Sequence, residues 1–570
     1  MKLFLFAIKN IIYYICAMFV KVSRSKRNNK VHETLQIAES YRDENGKVRH
    51  RILLHLGPKD KFLEKDVDTL INGLLRAKGL TLLDLDSQID NVKSFGQIWA
   101  LTHLWKELKM SQIIARQKKK SGIKFDLEAH LKSLIFNRLD DPSSKLKLLT
   151  WLETVYLPGV NKEEIRYEYL LRAMDFLIER KEKIENHVAS RLLNLFNQQL
   201  KVCFYDLTSS YFEAENSLVE GDIRCYGYSR DHREDKEQIV IGVVMTSDGL
   251  PIAHYVFPGN TADRSTLQEM LSDIRRRFKV KDIQLVADKG LVSSDNLWHL
   301  INQGYEFIMG EAVRNSKEGK AIIKEATAHK SKSQETIYET IKEKVIKLRD
   351  GQKKTIQVRY VASYNAEMAL KRYKTRINRI NEFLELVEEI KQKTIALEDK
   401  YYQIKSVLSK KRLTRFFKVN LKEDNVEIIK KDEVLTEEAM LDGWFIVISN
   451  TEQLSKEDII KRYKDLKYVE HGFYELKHSL NLRPNYHWTE KRIKAHVMVC
   501  FLAFQMAVLF EKRLSGIKLS WERAMERLRR VVVVEWENEG RRRKGLSRVH
   551  GEQLEIFNEI GSSKPTLLSL

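Results

Sequence analysis

The sequence predicts an α/β chain, a mixed-sheet core with an inserted α+β region, preceded by a small β hairpin unit and a helical domain. Three observations predict it. Two stretches of strand character between Glu33 and Leu56 flank the turn signal Asp43-Glu44-Asn45-Gly46, where glycine accepts positive φ. Apolar residues at helical spacing follow, as in Ile98, Leu101, Leu104, Trp105 and Leu108. From Lys201 onward, strand and helix patterns alternate. The chain has 570 residues, 43% of them hydrophobic and only 7 of them proline, which implies several packed domains rather than disorder.

The elements are expected in this order. Residues 1–17 are an apolar leader or an upstream extension of a chain that starts at Met18. Lys9 and Asn10 interrupt the apolar run from Leu3 to Val20, and a central lysine costs about 2.5–3.5 kcal/mol on insertion scales, so no membrane partner is expected. Residues 18–90 hold the hairpin unit, which ends near Gly57-Pro58. Residues 91–200 are helical, with Lys118, Lys119 and Lys120 read as a solvated basic run. Residues 201–310 form the first part of the core, 311–440 an insertion, 441–515 the second part, and 516–570 a basic C-terminal region containing Arg541-Arg542-Arg543-Lys544.

Within the core, the strands Val202–Tyr205, Ile239–Thr246 and Ile252–Phe257 precede any helix. The strands Ile283–Ala287 and Phe307–Met309 come after intervening helices. Short links favour an antiparallel meander and helical crossovers favour parallel pairing. That mixed order is what a ribonuclease-H-like core requires. The insertion carries a strand at Thr355–Ala362 and a charged helical stretch from Ala366 towards Leu413, whose Ile377, Ile380, Phe383, Leu384 and Leu386 read as packing residues. Trp444–Ile448 returns the chain to the core, and a helix is expected from Lys456 through Leu480.

The 100 Lys and Arg against 79 Asp and Glu leave a formal charge of +21, suited to a polyanion; membrane surfaces and ribosomal RNA satisfy the same arithmetic, and nucleic acid is favoured over other anions. Cys16, Cys203, Cys225 and Cys500 are scattered, so neither a disulfide framework nor a zinc finger is indicated, and a reducing cytoplasm fits.

Three carboxylates carry the chemistry. Asp206 is read as closing the strand Val202–Tyr205, and Asp288 as closing Ile283–Ala287 before Lys289-Gly290. Glu470 shares a helical face with Tyr463 and Lys477, seven residues away on either side. A glutamate among apolar neighbours such as Leu466 and Phe473 calls for a metal or cationic partner. Three such groups on adjoining elements suit hard divalent cations and in-line displacement at a phosphodiester.

Several separate stretches carry a resemblance: Tyr205-Asp206-Leu207-Thr208-Ser209, then Ile241-Gly242, Phe257-Pro258-Gly259-Asn260-Thr261-Ala262-Asp263, Ala287-Asp288-Lys289-Gly290 and Tyr463 through Lys477. The run Leu482-Arg483-Pro484-Asn485-Tyr486-His487-Trp488 and Arg492 through His496 adds to it. Together they resemble the insertion-sequence DDE transposases whose third motif reads Tyr, Arg, Glu, Lys, in the branch with a long insertion before the catalytic Glu.

The resemblance implies that Asp206, Asp288 and Glu470 are catalytic metal ligands for two Mg²⁺ (or Mn²⁺) ions, and that Tyr463 and Lys477 hold DNA phosphates. It implies double-stranded DNA with terminal inverted repeats and a target DNA as partners, a homodimer or higher multimer, and a cytoplasmic, nucleoid-associated place. The motif's arginine is Leu466 here. Lys467 or another cation compensates, or the branch manages without the contact, or the copy is impaired. Two alternatives to the transposase therefore stand: an impaired or repurposed DNA-binding derivative, and a metal-dependent nuclease of the same fold. Ser229 to Arg233 is read as a solvated loop, His254 as a satisfied core or edge histidine, and Arg275, Arg276 and Arg277 as a solvated helix face.

Overall fold

The computed structural model describes residues 18–27, 30–43, 47–61, 69–71, 88–213, 221–280, 282–314, 316–329, 335–538 and 541–567. The chain divides into two compact units, one of residues 1–91 with 534–545, the other of residues 92–533 with 546–570.

In the first unit, β1 (Met18–Arg27), β2 (Lys30–Arg42) and β3 (Val48–Pro58) form an antiparallel sheet in that order. β2 and β3 are the hairpin read from the sequence, paired down to Arg42 opposite Val48. The Asp43 carboxylate accepts from Lys47 N at 2.9 Å and Arg49 Nε at 3.0 Å across the turn. The remaining turn residues 44–46 lie outside the described residues, as does the apolar leader 1–17.

The second unit opens with six α-helices between Gly96 and Leu195. Its centre is an eight-stranded sheet. β5 (Val202–Tyr211), β6 (Gln238–Met245) and β7 (Pro251–Pro258) form an antiparallel meander. The helix Asp263–Phe278 then crosses to β8 (Gln284–Ala287) and the helix Ser294–Asn302 to β9 (Glu306–Glu311), both parallel to β5. β10 (Glu335–Lys347) and β11 (Lys353–Asn365) come next. The small pair β12 (Phe417–Leu421) and β13 (Val426–Lys430) precedes β14 (Trp444–Ser449), and the large sheet runs β10-β11-β14-β9-β8-β5-β6-β7. Short links gave antiparallel neighbours and helical links parallel ones, as the pattern of connections requires.

Part of the segment read as an insertion therefore joins the central sheet: β11 pairs with β14 and carries β10 at the edge. The rest has its own small core, in which Ile380, Phe383, Val387 and Ile390 of the helix Ala366–Gln392 meet Ile404 and Leu408 of the helix Leu397–Lys410 and Phe417. Leu384 of the same stretch is exposed.

The helix Glu490–Arg513 threads the main core. From Val497 to Ala507 every residue is buried, and the helix packs on Leu127–Asp140, Tyr167–Glu179, Gly96–Glu107 and β7. Among the described residues it is the one helix long and apolar enough to cross a membrane, and the protein interior covers it. The basic C-terminal segment is an element of structure as well. β4 (Gln88–Ser94), β15 (Val532–Asn538) and β16 (Arg541–Leu546) make a three-stranded sheet.

Candidate active site

β5 and β8 run side by side, paired from Val202 with Gln284 to Tyr205 with Ala287. Asp206 and Asp288 are the next residue on each strand. Their carboxylates thus leave neighbouring strands at one level, with backbones about 4.8 Å apart. Asp288 does end its strand, and it directly precedes the short turn Lys289–Leu291. Asp206 does not: β5 continues to Tyr211, and Asp206 lies mid-strand opposite Val243 of β6. The polar run after it was misread as a strand end. Thr208, Ser209 and Ser210 are buried, and Ser209 Oγ accepts from Arg230 N at 3.0 Å, so a buried hydroxyl finds its partner in the loop that leads to β6.

Asp206 is half-buried, and its Oδ1 accepts from Leu207 N at 2.8 Å. Burial pushes its carboxyl up to about 7; the Leu207 amide and Arg230 oppose this, and Asp288 and Asp263 add to it. Asp263 is a fourth carboxylate at this place, held by Arg230 Nη2 at 2.6 Å.

Tyr463 stands on the last turn of the helix Lys456–Lys464 and donates its hydroxyl to Asp288 Oδ1 at 3.2 Å. A glycine makes room for it, because a side-chain carbon at Gly310 on β9 would run into the Tyr463 hydroxyl. Burial, together with the charges of Asp288, Asp206 and Glu470, holds the Tyr463 phenol above its ordinary range.

The helix expected from Lys456 through Leu480 is not continuous. It stops at Lys464, resumes over Lys467–Tyr474, and widens into a π-turn over Glu475–Ser479. Leu466 is buried at the joint and its amide bonds back to Tyr463 O at 3.2 Å, tightening the turn. The even seven-residue spacing is therefore not one straight face. Glu470 is exposed on the second helix, and no hydrogen bond or ion pair of its side chain is present among the described residues. No three carboxylate, imidazole or thiolate groups among those residues lie close enough together to hold a metal ion in this arrangement.

Lys477 lies in the π-turn with its side chain largely covered, and donates to both oxygens of Asp231 at 3.0 and 3.1 Å. Arg483 meets the same carboxylate at 3.0 Å. The segment Ser229 to Arg233 is thus not a solvated connection. Arg230 and Asp231 tie the carboxylate cluster to Lys477 and Arg483, a role that nothing local in the sequence signals because each partner is distant along the chain.

The basic run on the helix Asp263–Phe278 is likewise not a uniform solvated face. Arg277 is buried, donating to Glu185 Oε2 at 2.8 Å and Asp273 Oδ2 at 3.0 Å. Glu185 also accepts from buried His254 Nδ1 at 2.5 Å and Lys181 Nζ at 2.9 Å. Burial alone would raise the Glu185 carboxyl, yet Lys181, His254 and Arg277 hold it well below the usual carboxylate range. His254 is the core histidine the sequence suggested, while Arg276 is exposed and pairs with Glu182.

Asp206, Asp288 and Glu470 supply only oxygen donors, and among the described residues no cation forms an ion pair with any of them. That donor set fits a hard divalent ion, which would relieve the repulsion felt at Asp206.

Residues 221–506, about half of the chain, match the transposase DDE domain. The chain belongs to the DDE transposases. The matched stretch takes in Asp288, Tyr463, Glu470 and Lys477 and begins after Asp206. Residues 20–81 match the N-terminal domain of IS1634 family transposases, and the two matches together mark an insertion-sequence transposase. No curated protein matches the chain. The large mixed sheet with its helices is consistent with a ribonuclease-H-like DDE domain. As a transposase the protein acts on DNA.

Proposed function

We propose that the transposase cuts at the ends of its insertion sequence and transfers the resulting 3′-hydroxyl ends into target DNA, using Asp206, Asp288 and Glu470 as the catalytic carboxylates. The observation that carries this reading is the level pairing of Asp206 and Asp288 on adjacent parallel strands, with Tyr463 from the Glu470 segment bonded to Asp288.

Asp206, Asp288 and Glu470 would hold two divalent ions such as Mg²⁺, whose chemistry is to activate a water or 3′-hydroxyl and to stabilise the leaving oxygen. The chain's own residues do the rest. Tyr463 orients Asp288 through its hydroxyl and presents that edge of the ring to the phosphate. Lys477 and Arg483 share Asp231, so either is free to turn one proton donor to a DNA phosphate while Asp231 keeps the other in place. Arg230 pairs with Asp263 and offsets its charge beside Asp206, limiting the negative charge that a phosphodiester meets on entry. Residues 18–200 recognise the element ends, and the protein works as a multimer that bridges two of them.

The test uses the full chain with a supercoiled donor plasmid carrying a marked element. Wild type is expected to move the marker, whereas Asp206→Asn, Asp288→Asn and Glu470→Gln bind the ends and leave the plasmid whole. Undiminished cutting by any of the three removes that residue from the site.

One observation favours a second reading. Leu466, at the motif's arginine position, is built into the core rather than turned to the DNA, as in a derivative that grips DNA without moving it. A wild-type chain that binds the ends yet leaves the plasmid intact would establish that reading, and one that only breaks it would be a nuclease.

A further inference from the structure

A cavity of about 820 Å³ is lined by the loop Asp141 to Lys147 and by residues of the segment Asn481 to His487. Its floor carries cations. Arg138 and Lys145 are 4% and 6% exposed. Both bond only to neutral acceptors: Arg138 donates to Asn481 O at 3.1 Å and Ser143 O at 2.6 Å. Lys145 Nζ donates to His496 Nδ1 at 2.8 Å, and His496 Nε2 donates in turn to Leu482 O at 3.0 Å. Neither cation makes an ion pair among the described residues, and the one carboxylate lining the cavity, Asp141, is exposed at the rim.

This is the reverse of ordinary practice in a protein interior, where a buried charge is paired. Elsewhere in this chain the rule is kept, as at Arg277. Burial and the nearby Arg138 hold the Lys145 ammonium well below its ordinary range. An ammonium has three donors and a guanidinium five, so both groups retain hydrogen-bonding capacity that the protein does not use. Arg483 lines the cavity and also pairs with Asp231, the partner of Lys477. Arg483 thus joins the cavity lining to the Asp231–Lys477 pair. Tyr486 and Tyr167, 64% and 39% exposed, stand among its lining, and exposed rings beside cations are what a nucleic-acid strand uses.

We propose that this cavity is a phosphate site, in which Lys145 and Arg138 receive a backbone phosphate of the DNA strand that reaches the carboxylates. The proposal rests on the DNA-cutting reading for its source of phosphate. The missing counter-charge arrives with the DNA.

The test compares the full wild-type chain with Lys145→Met, which keeps the stem and removes the charge, and with Lys145→Gln. Binding to a DNA fragment carrying one end of the element is measured against salt, and melting is measured with and without inorganic phosphate. Losing one phosphate contact makes the slope of log K against log[salt] shallower by about 0.9, and both variants are expected to show that change. Without DNA they are expected to melt no lower than wild type, because an unpaired buried charge has been removed. Inorganic phosphate is expected to raise the melting temperature of wild type and not of the variants.

A variant that melts well below wild type, or fails to fold, makes Lys145 a structural residue and overturns the proposal. Protection by inorganic phosphate with an unchanged salt slope overturns the assignment to DNA. A wild-type chain that does not bind the DNA end overturns the functional reading itself, whereas normal wild-type binding with unchanged variants overturns only the cavity.

Discussion

Two acidic places in the second unit are built on opposite terms. Glu185 is buried and meets Lys181, His254 and Arg277. Asp288 accepts from the Tyr463 hydroxyl, whose phenol also feels the charges of Asp206 and Glu470, and among the described residues no cation pairs with any of the three carboxylates. Full compensation holds the helix Lys181–Leu195 to β7 and to the helix Asp263–Phe278. Withheld compensation leaves a place with appetite for positive charge. In this molecule, pairing separates acids that serve the fold from acids available to a ligand.

The widest separation should appear in activity. Asp288→Asn and Glu470→Gln are expected to reduce plasmid cutting to background while urea unfolding stays within about 1 kcal/mol of wild type, since neither residue anchors an ion pair. Glu185→Gln should do the reverse, lowering unfolding free energy by about 3–5 kcal/mol because Arg277, Lys181 and His254 lose their shared partner. Normal stability in that variant would erase the contrast.

Asp206 sharpens it through pH. Its folded-state pKa of about 7 lies above the ordinary carboxylate value. The stability linked to it is therefore fully present below about pH 4 and is lost as pH rises through about 7. In chelator, Asp206→Asn should thus melt above wild type at pH 8, by on the order of 2–4 kcal/mol at most, and match it near pH 4. A constant difference across that range would remove the carboxyl's ionisation as the cause.

Gly310→Ala should cost about 1–3 kcal/mol through overpacking against Tyr463 and lower cutting, read by melting and by the plasmid assay together. Tyr463→Phe should change stability least, by about 1 kcal/mol for one hydrogen bond. Loss of cutting greater than loss of stability would place the hydroxyl at the reaction.

Much of the sheet was legible because strand and helix periods differ and because connection length decides pairing direction. Asp288 was legible too, as a polar residue ending an apolar run. Asp206 was found for a partly wrong reason, since Thr208 to Ser210 look like a turn until their partners in space are known. Arg277 and Asp231 were hidden by the same limit. A buried ion pair joins residues 92 positions apart in one case and 246 in the other, and no local window contains both ends. The tightened joint at Leu466 escaped because it preserves right-handed backbone on both sides.

The helix Glu490–Arg513 has a consequence for synthesis. The helices Gly96–Glu107, Leu127–Asp140 and Tyr167–Glu179 leave the ribosome hundreds of residues before the apolar partner they close upon. Until that partner emerges, their inner faces have nothing from this helix to cover them. The packing of the helical region on this helix is therefore completed late, after Arg513 has emerged. A chain cut short before Glu490 should be aggregation-prone or quickly degraded rather than a free DNA-binding fragment.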